Sequence, residues 1–363
     1  MFTENIPNMR LMNELPVIRG RGAGFNPANR FERLTVEREA WSLAGDPAPS
    51  TEFLVDNTGS IVSRNSSPDV GFEVSVNPYR GCEHGCVYCY ARPTHEYLGM
   101  SAGLDFESRI LVKPDAAALL RAEFSSPRWK PQPLAFSGVT DPYQPIERRL
   151  GIMRACLEVA SEFRNPVTVV TKSILVTRDI DLLAPLARRG AASVAVSLTT
   201  LDPALHRLME PRAPTPARRL EAIRRLSSAG IPVGVFVAPL VPAINDHEIP
   251  AILEASAECG ATAAIAVPIR LPFAVKDLFV DWLDRHFPDR KAKVLSRIRA
   301  MRGGRLNDPQ PVSRMKGRGT LAEQMTDLFR IARRRAGLAG TMPALSSDAF
   351  HRPDAAGQLE LGL

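Results

Sequence analysis

The chain has 363 residues, 45% of them hydrophobic and 23% charged, with a formal net charge of +7. That length and apolar content suit one large α/β domain with extensions, and they argue against disorder over most of the chain. There is no apolar run of about 18 residues, and residues 1–14 carry charges without an apolar h-region, so neither a membrane-spanning helix nor a signal peptide is expected and the expected compartment is the cytoplasm.

Residues 1–70 show little periodicity. The runs Arg19-Gly20-Arg21-Gly22-Ala23-Gly24 and Asp46-Pro47-Ala48-Pro49-Ser50 are loop-like, which makes this stretch an irregular N-terminal extension. The Gly/Arg run resembles an RNA-binding tract but is too short to carry that alone. Between residues 71 and 275 the pattern changes to alternating strands and helices. Short apolar runs predict strands at 72–77, 134–138, 167–171, 193–198, 233–238 and 263–268. They lack clean alternation, as parallel strands covered on both faces do. Helices are predicted at 114–124, 148–163, 180–188, 216–229 and 246–258, with Gly190, Gly230 and Gly260 placed as C-terminal stops. Six such units predict a parallel sheet with right-handed crossovers, arranged as an open, partial (β/α)6 barrel whose site lies at the C-terminal strand ends.

Residues 276–363 read as a helical, basic C-terminal extension with a loose tail. Residues 276–335 hold 16 Lys and Arg against 7 Asp and Glu. This is either a surface for nucleic acid or a solvated Arg-rich helical face. A loop with Arg314, Lys316 and Arg318 beside Gly317 and Gly319 suits phosphate contacts.

Of the five cysteines, three lie in the segment Arg80-Gly81-Cys82-Glu83-His84-Gly85-Cys86-Val87-Tyr88-Cys89-Tyr90. An odd, clustered count argues against a disulfide framework and for a metal or catalytic site. The C-x3-C-x2-C spacing falls in the first strand-to-helix loop, and Gly81 and Gly85 let the backbone fold tightly there. Thiolates favour iron–sulfur clusters and zinc. A [4Fe–4S] cube bound by three cysteines keeps one iron open, able to chelate the amino and carboxylate groups of a small molecule. A Cys3His zinc site completed by His84 or His95 is the alternative, although zinc sites usually bring ligands in two separated pairs. Cys156 and Cys259 read as buried, inert thiols.

Together with the aromatic Tyr88 before the last cysteine, this motif resembles the signature of the radical S-adenosylmethionine (SAM) superfamily. Residues 71–275 resemble its spore photoproduct lyase-like branch, also called DNA repair photolyase-like. The resemblance rests on Val87-Tyr88-Cys89-Tyr90, Thr140-Asp141, Val170-Thr171-Lys172, Val196-Ser197, Glu210-Pro211 and Phe236-Val237-Ala238-Pro239. The extensions are similar to those of a bacterial subgroup of that branch. The resemblance implies a [4Fe–4S] cluster on Cys82, Cys86 and Cys89, and SAM as the second cofactor. It also implies reductive cleavage of SAM to a 5′-deoxyadenosyl radical that takes hydrogen from a substrate, and a one-electron donor such as flavodoxin or ferredoxin. By position, Lys172 and Ser197 resemble SAM contacts, Tyr88 packs against or bonds the adenine, and Thr140 and Asp141 accept from the SAM amino group or face the substrate. Asp141-Pro142 is also a good turn, and Ser197 also a plain strand end.

One departure matters. Spore photoproduct lyases carry a hydrogen-donating cysteine after the second strand, where this chain has Gly138 in Phe136-Ser137-Gly138-Val139-Thr140-Asp141. Thiol-quenched cleavage of a thymine dimer is therefore not expected. The expected function is radical modification or repair of a nucleic acid. The alternatives are radical chemistry on a protein or metabolite, and a non-catalytic iron–sulfur redox-sensing module.

Overall fold

Short runs rich in Val form the main strands, because β-branched side chains pack well on a pleated surface. The computed structural model describes residues 18–32 and 50–353. Residues 1–14 and the 46–49 part of the Pro-rich run lie outside them. The strands are β1 (Glu52–Val55), β2 (Val62–Arg64), β3 (Val74–Val76), β4 (Tyr79–Arg80), β5 (Arg109–Val112), β6 (Leu134–Phe136), β7 (Val167–Thr171), β8 (Ala192–Ser197), β9 (Val233–Leu240) and β10 (Ala263–Pro268).

The main sheet has seven strands in the order β10-β9-β8-β7-β6-β3-β2. Strands β3, β6, β7, β8, β9 and β10 run parallel, each beside its predecessor in the series, and β2 pairs antiparallel with β3 at the edge. This is the expected series of six parallel units in an open arrangement, without a closed barrel. Every residue of β8 is buried, as a central strand covered on both faces should be. The outer edge of β10 meets the C-terminal segment through one bridge, Ala263 to Gly340.

The predicted elements at 167–171, 180–188 and 263–268 coincide with those observed, and most of the others shift by one to three residues at an end. The predicted helix 148–163 is two helices, Glu147–Leu150 and Ile152–Glu162, broken at Gly151, whose φ of 65° is left-handed. The predicted 246–258 begins as a 3-10 turn, Asp246–Glu248, before the helix Ile249–Glu258. Gly190, Gly230 and Gly260 all have positive φ just after their helices.

The helices cover the sheet with apolar faces at helical spacing. Ala116–Ser125 buries Ala116, Leu120 and Phe124, one turn apart. After β10 come the helices Val275–His286, Pro288–Met301, Ser313–Lys316 and Thr320–Arg335. The last of these packs on Ile249–Glu258 and Pro288–Met301. A second, three-stranded sheet of order β1-β5-β4 stands beside the main one, with β5 parallel to β1 and antiparallel to β4. It diverts the chain from β3 into the cysteine loop. No helix of the described residues is long and apolar enough to cross a membrane.

Candidate functional site

The cysteine loop leaves β4 and is held from several sides. Cys82 donates its backbone N–H to Phe106 O at 2.9 Å. Gly81 O accepts from Thr140 Oγ1 at 2.6 Å and from Gln144 Nε2 at 3.3 Å, and Gln144 Oε1 accepts from Glu83 N at 3.0 Å. Gly81 and Gly85 have φ of 80° and 66°, and a Cβ on Gly81 would lie 2.8 Å from His95 Cε1 and from Phe106 O. The loop is thus curled by glycines against side chains that leave no room for larger residues.

All three loop cysteines are free thiols; Cys82 and Cys86 are buried and Cys89 is half-buried. Burial pushes the Cys82 thiol well above its ordinary range, followed by the fields of Asp141, Cys86 and Cys89. Cys86 is pushed up to about 12, first by burial and then by Glu210. Burial also raises Cys89. Thiols that resist ionisation singly because they are buried and near one another become good ligands once a cationic cluster neutralises them. Among the described residues no three His, Cys, Asp or Glu side chains stand at metal-holding spacing. Cys82, Cys86 and Cys89 do feel one another's charge, and thiolate is the donor chemistry that iron–sulfur clusters take.

Neither histidine weighed as a fourth ligand completes such a set. His95 Nε2 lies 2.9 Å from Arg109 O, its ring packs edge-on against Phe106, and its buried Nδ1 has no hydrogen-bond partner. His84 Nδ1 lies 3.5 Å from Asp141 Oδ2. Burial pushes both imidazoles down to about 4.

Beside the loop lies a buried network that sequence reasoning left unassigned, centred on Glu210. The carboxylate pairs with Lys172 Nζ at 3.2 Å and with Arg219, and it accepts from Tyr88 OH and, at 2.7 Å, from Thr199 Oγ1. Burial by itself would raise Glu210, yet Arg219 and Lys172 hold it well below the usual carboxylate range. Two cations around one carboxylate leave a net positive charge beside Cys86. Lys172 Nζ also lies 5.7 Å from the centre of the Tyr88 ring. The Glu210-Pro211 motif was visible in the sequence, but its partners stand at the ends of β7 and β8 and in the loop, so only the fold brings them together.

The remaining candidates are placed as follows. Asp141 accepts from Thr171 Oγ1 at 2.6 Å, Lys172 N at 2.8 Å and Tyr143 N at 2.9 Å, so it ties the end of β6 to the end of β7. Thr140 braces the cysteine loop through Gly81. Ser197 ends β8, and its carbonyl accepts from Arg219 at 3.1 Å. The structure therefore brings Tyr88 and Lys172 into one network with Glu210, while Thr140 and Asp141 brace loops beside it. Cys156 is buried in the core and Cys259 accepts from Arg224 Nη2 at 3.4 Å.

Two surface expectations change. Arg314 is not open to phosphate: it is paired with Asp69 at 2.5 Å and bonded to Ser67. Arg318 lies 3.6 Å from Asp308, which leaves Lys316 as the exposed cation of that loop without an acidic partner among the described residues. In the Gly/Arg run, residues 21–24 are buried, with Gly22 against the cysteine loop and Gly24 against Asp281 and Arg285. At the mouth, the half-exposed ring of Tyr90 donates its hydroxyl to Gly138 O at 2.7 Å, with the Arg270 guanidinium 5.1 Å from the ring centre.

Residues 76–255 match a family model described as the radical SAM superfamily. An uncharacterised protein of Mycobacterium tuberculosis is 38% identical over 232 residues, covering 63% of this chain and 67% of its own length. An uncharacterised protein of Acidianus two-tailed virus is 32% identical over 202 residues, covering 53% of this chain and 62% of its own. Among solved structures, spore photoproduct lyase complexed with dinucleoside spore photoproduct superposes with a TM-score of 0.54 at 17% identity, over 79% of this chain and 80% of that one. At that identity the likeness is one of fold.

Proposed function

The chain belongs to the radical SAM superfamily, and from that membership we propose that Cys82, Cys86 and Cys89 hold one [4Fe–4S] cluster whose remaining iron receives SAM. When bound, the pair supplies reductive cleavage of the sulfonium and abstraction of a hydrogen atom from the substrate. The observation that supports the reading is three free thiols on one glycine-curled loop, with Tyr88 of that loop bonded to Glu210 beside Lys172.

The residues of the chain have separable tasks. Lys172 and Arg219, only partly neutralised by Glu210, offer a positive field to a carboxylate. Tyr88 and Thr199 fix the Glu210 oxygens, so Lys172 is held at one position rather than swinging free. Thr140, Gln144 and Asp141 keep the cysteine loop and strand ends together, and burial of the loop excludes water from a radical site. Ser197, at the end of β8, is the residue we assign to the ribose. The electron comes from a one-electron donor such as flavodoxin or ferredoxin. A cytoplasmic location suits free thiols that must stay reduced.

Nucleic acid is the substrate class we infer. Tyr90 presents a ring under Arg270 at the mouth, a combination that stacks on bases. Lys316, Arg334 and Arg335 are exposed without acidic partners among the described residues, and they suit phosphates. A solved structure of similar fold holds a dinucleoside photoproduct. The stretch 134–141 has no thiol, so the reading does not include thiol-quenched dimer cleavage.

Anaerobically reconstituted protein, given dithionite and SAM, is expected to release 5′-deoxyadenosine. A cluster without that product would indicate a redox module. Binding to DNA or RNA should weaken with salt. Changing Lys316, Arg334 or Arg335 to Gln should flatten the dependence of log K on log salt by about 0.7–0.9 for each phosphate that is no longer neutralised. No binding at low salt would transfer the reading to a protein or metabolite substrate.

A further inference from the structure

Gly22 approaches the cysteine loop more closely than any side chain would permit. A Cβ on Gly22 would lie 1.8 Å from Gly85 O and 3.1 Å from Val87 N, so only glycine fits. Gly22 N and Ala23 N both donate to the Glu107 carboxylate, at 3.0 and 2.8 Å, and Arg21 Nη1 donates to Glu107 O at 2.6 Å. Glu107 is fully buried and pairs with the equally buried Arg92 at 2.9 Å. Arg92 in turn donates from Nε to Cys86 O at 3.0 Å and from Nη1 to Ala102 O and Gly103 O. On the other side, a Cβ on Gly85 would lie 2.5 Å from Glu107 Oε2. One carboxylate is thus shared between an N-terminal stretch of chain and a guanidinium that holds the backbone of a cysteine. The neighbouring Phe106 O holds Cys82 through its N–H.

These contacts serve no purpose in closing the sheet, whose strands are paired without them. They fix the back of the loop that spaces Cys82, Cys86 and Cys89. We propose that residues 21–24 form a clasp over the cysteine loop, with Glu107 as a positioning residue that couples the clasp through Arg92 to Cys86 and so retains the cluster. The proposal rests on the reading that these three cysteines hold the cluster.

A buried guanidinium bonded to a ligand's carbonyl contributes positive charge beside the cluster, and Glu107 cancels it. Removing the clasp and removing that charge balance therefore have different signatures. Gly22→Ala keeps both charges but cannot seat the clasp. Glu107→Gln keeps the shape but strands the Arg92 charge.

The test uses full-length protein, reconstituted anaerobically. Release of iron to a ferrous chelator and the reduction potential of the cluster are both followed. Gly59→Ala serves as control, since a Cβ there meets nothing within 4 Å. Gly22→Ala should release iron about ten-fold faster than wild type, the scale of a lost buried hydrogen bond. Glu107→Gln should also speed release, and it should raise the potential because added positive charge favours the reduced cluster. A merely structural role for Glu107 would leave the potential where it was. Should Gly22→Ala fail to fold, the potential of Glu107→Gln decides alone. Wild-type release in Gly22→Ala, or an unshifted potential in Glu107→Gln, overturns the clasp. A wild-type protein that takes up no iron instead overturns the cluster reading beneath it.

Discussion

Replacing Glu210 with Gln removes the single negative charge between Lys172 and Arg219. The Arg219 side chain is 1% exposed and that of Lys172 is 15%, so neither cation can recover full hydration. Lys172, Arg219, Tyr88 and Thr199 all donate to this one carboxylate, whereas an amide offers one acceptor oxygen and adds donors of its own. Breaking a buried ion pair by removing one partner costs about 3–5 kcal/mol, and the partial hydration of Lys172 places the expected loss at the lower end. Urea unfolding of the apoprotein reads this, with midpoint and slope recorded separately. Adding Lys172→Met to Glu210→Gln removes one stranded cation and should return part of the loss, which separates charge from packing. Because Arg219 and Lys172 hold Glu210 below its ordinary value of 4.5 despite burial, its contribution is complete at neutral pH and is lost as pH falls below that value. A loss under about 1 kcal/mol, or no recovery in the double variant, would refute the view that this network is dry and charge-balanced.

Lys172→Ala should weaken SAM binding about ten- to a hundred-fold, the equivalent of roughly 1.5–3 kcal/mol, without removing iron. Equal affinity by equilibrium binding would remove Lys172 from the cofactor site. Gly138→Ala should cost about 1–3 kcal/mol, since φ there is 119° and the nearest atom to an added Cβ is at an ordinary 3.7 Å, leaving backbone strain as the cause. An unchanged urea midpoint would contradict that. His84 and His95, both held near 4 by burial, take up protons in the unfolded chain at higher pH than in the folded one. Apoprotein stability should therefore decline as pH drops from about 6.5 towards 4, and His95→Gln should flatten part of the decline. A flat profile over that range would sink the assignment of both as buried, neutral rings.

The six parallel strands were legible because each is a short apolar run, and β8, β9 and β10 each follow a helix that stops at a glycine. The second sheet was not. Its strands span two to four residues, and β1 is largely exposed, so no apolar run marks it. The break at Gly151 was hidden because the apolar spacing continues across it from Ile146 to Ile152. The cysteines announced themselves by spacing. Glu210 and Glu107 did not, because their importance lies in partners far along the chain, 38 residues back to Lys172 and 85 back to Gly22. The Gly/Arg run misled for a related reason: composition suggested an open tract, while shape complementarity to Gly85 makes residues 21–24 part of the interior. The basic loop likewise looked free until Asp69, 245 residues away, was found beside Arg314.

The central claim is that Cys82, Cys86 and Cys89 together hold one [4Fe–4S] cluster. Iron and acid-labile sulfide, counted after anaerobic reconstitution and checked by electron paramagnetic resonance of the reduced protein, test it most directly. The account predicts about four of each per chain in wild type and in the Cys156→Ala and Cys259→Ala variants, and essentially none when the three loop cysteines are replaced by Ala. A cluster that survives the triple replacement, or a wild-type site filled by zinc alone, would contradict it.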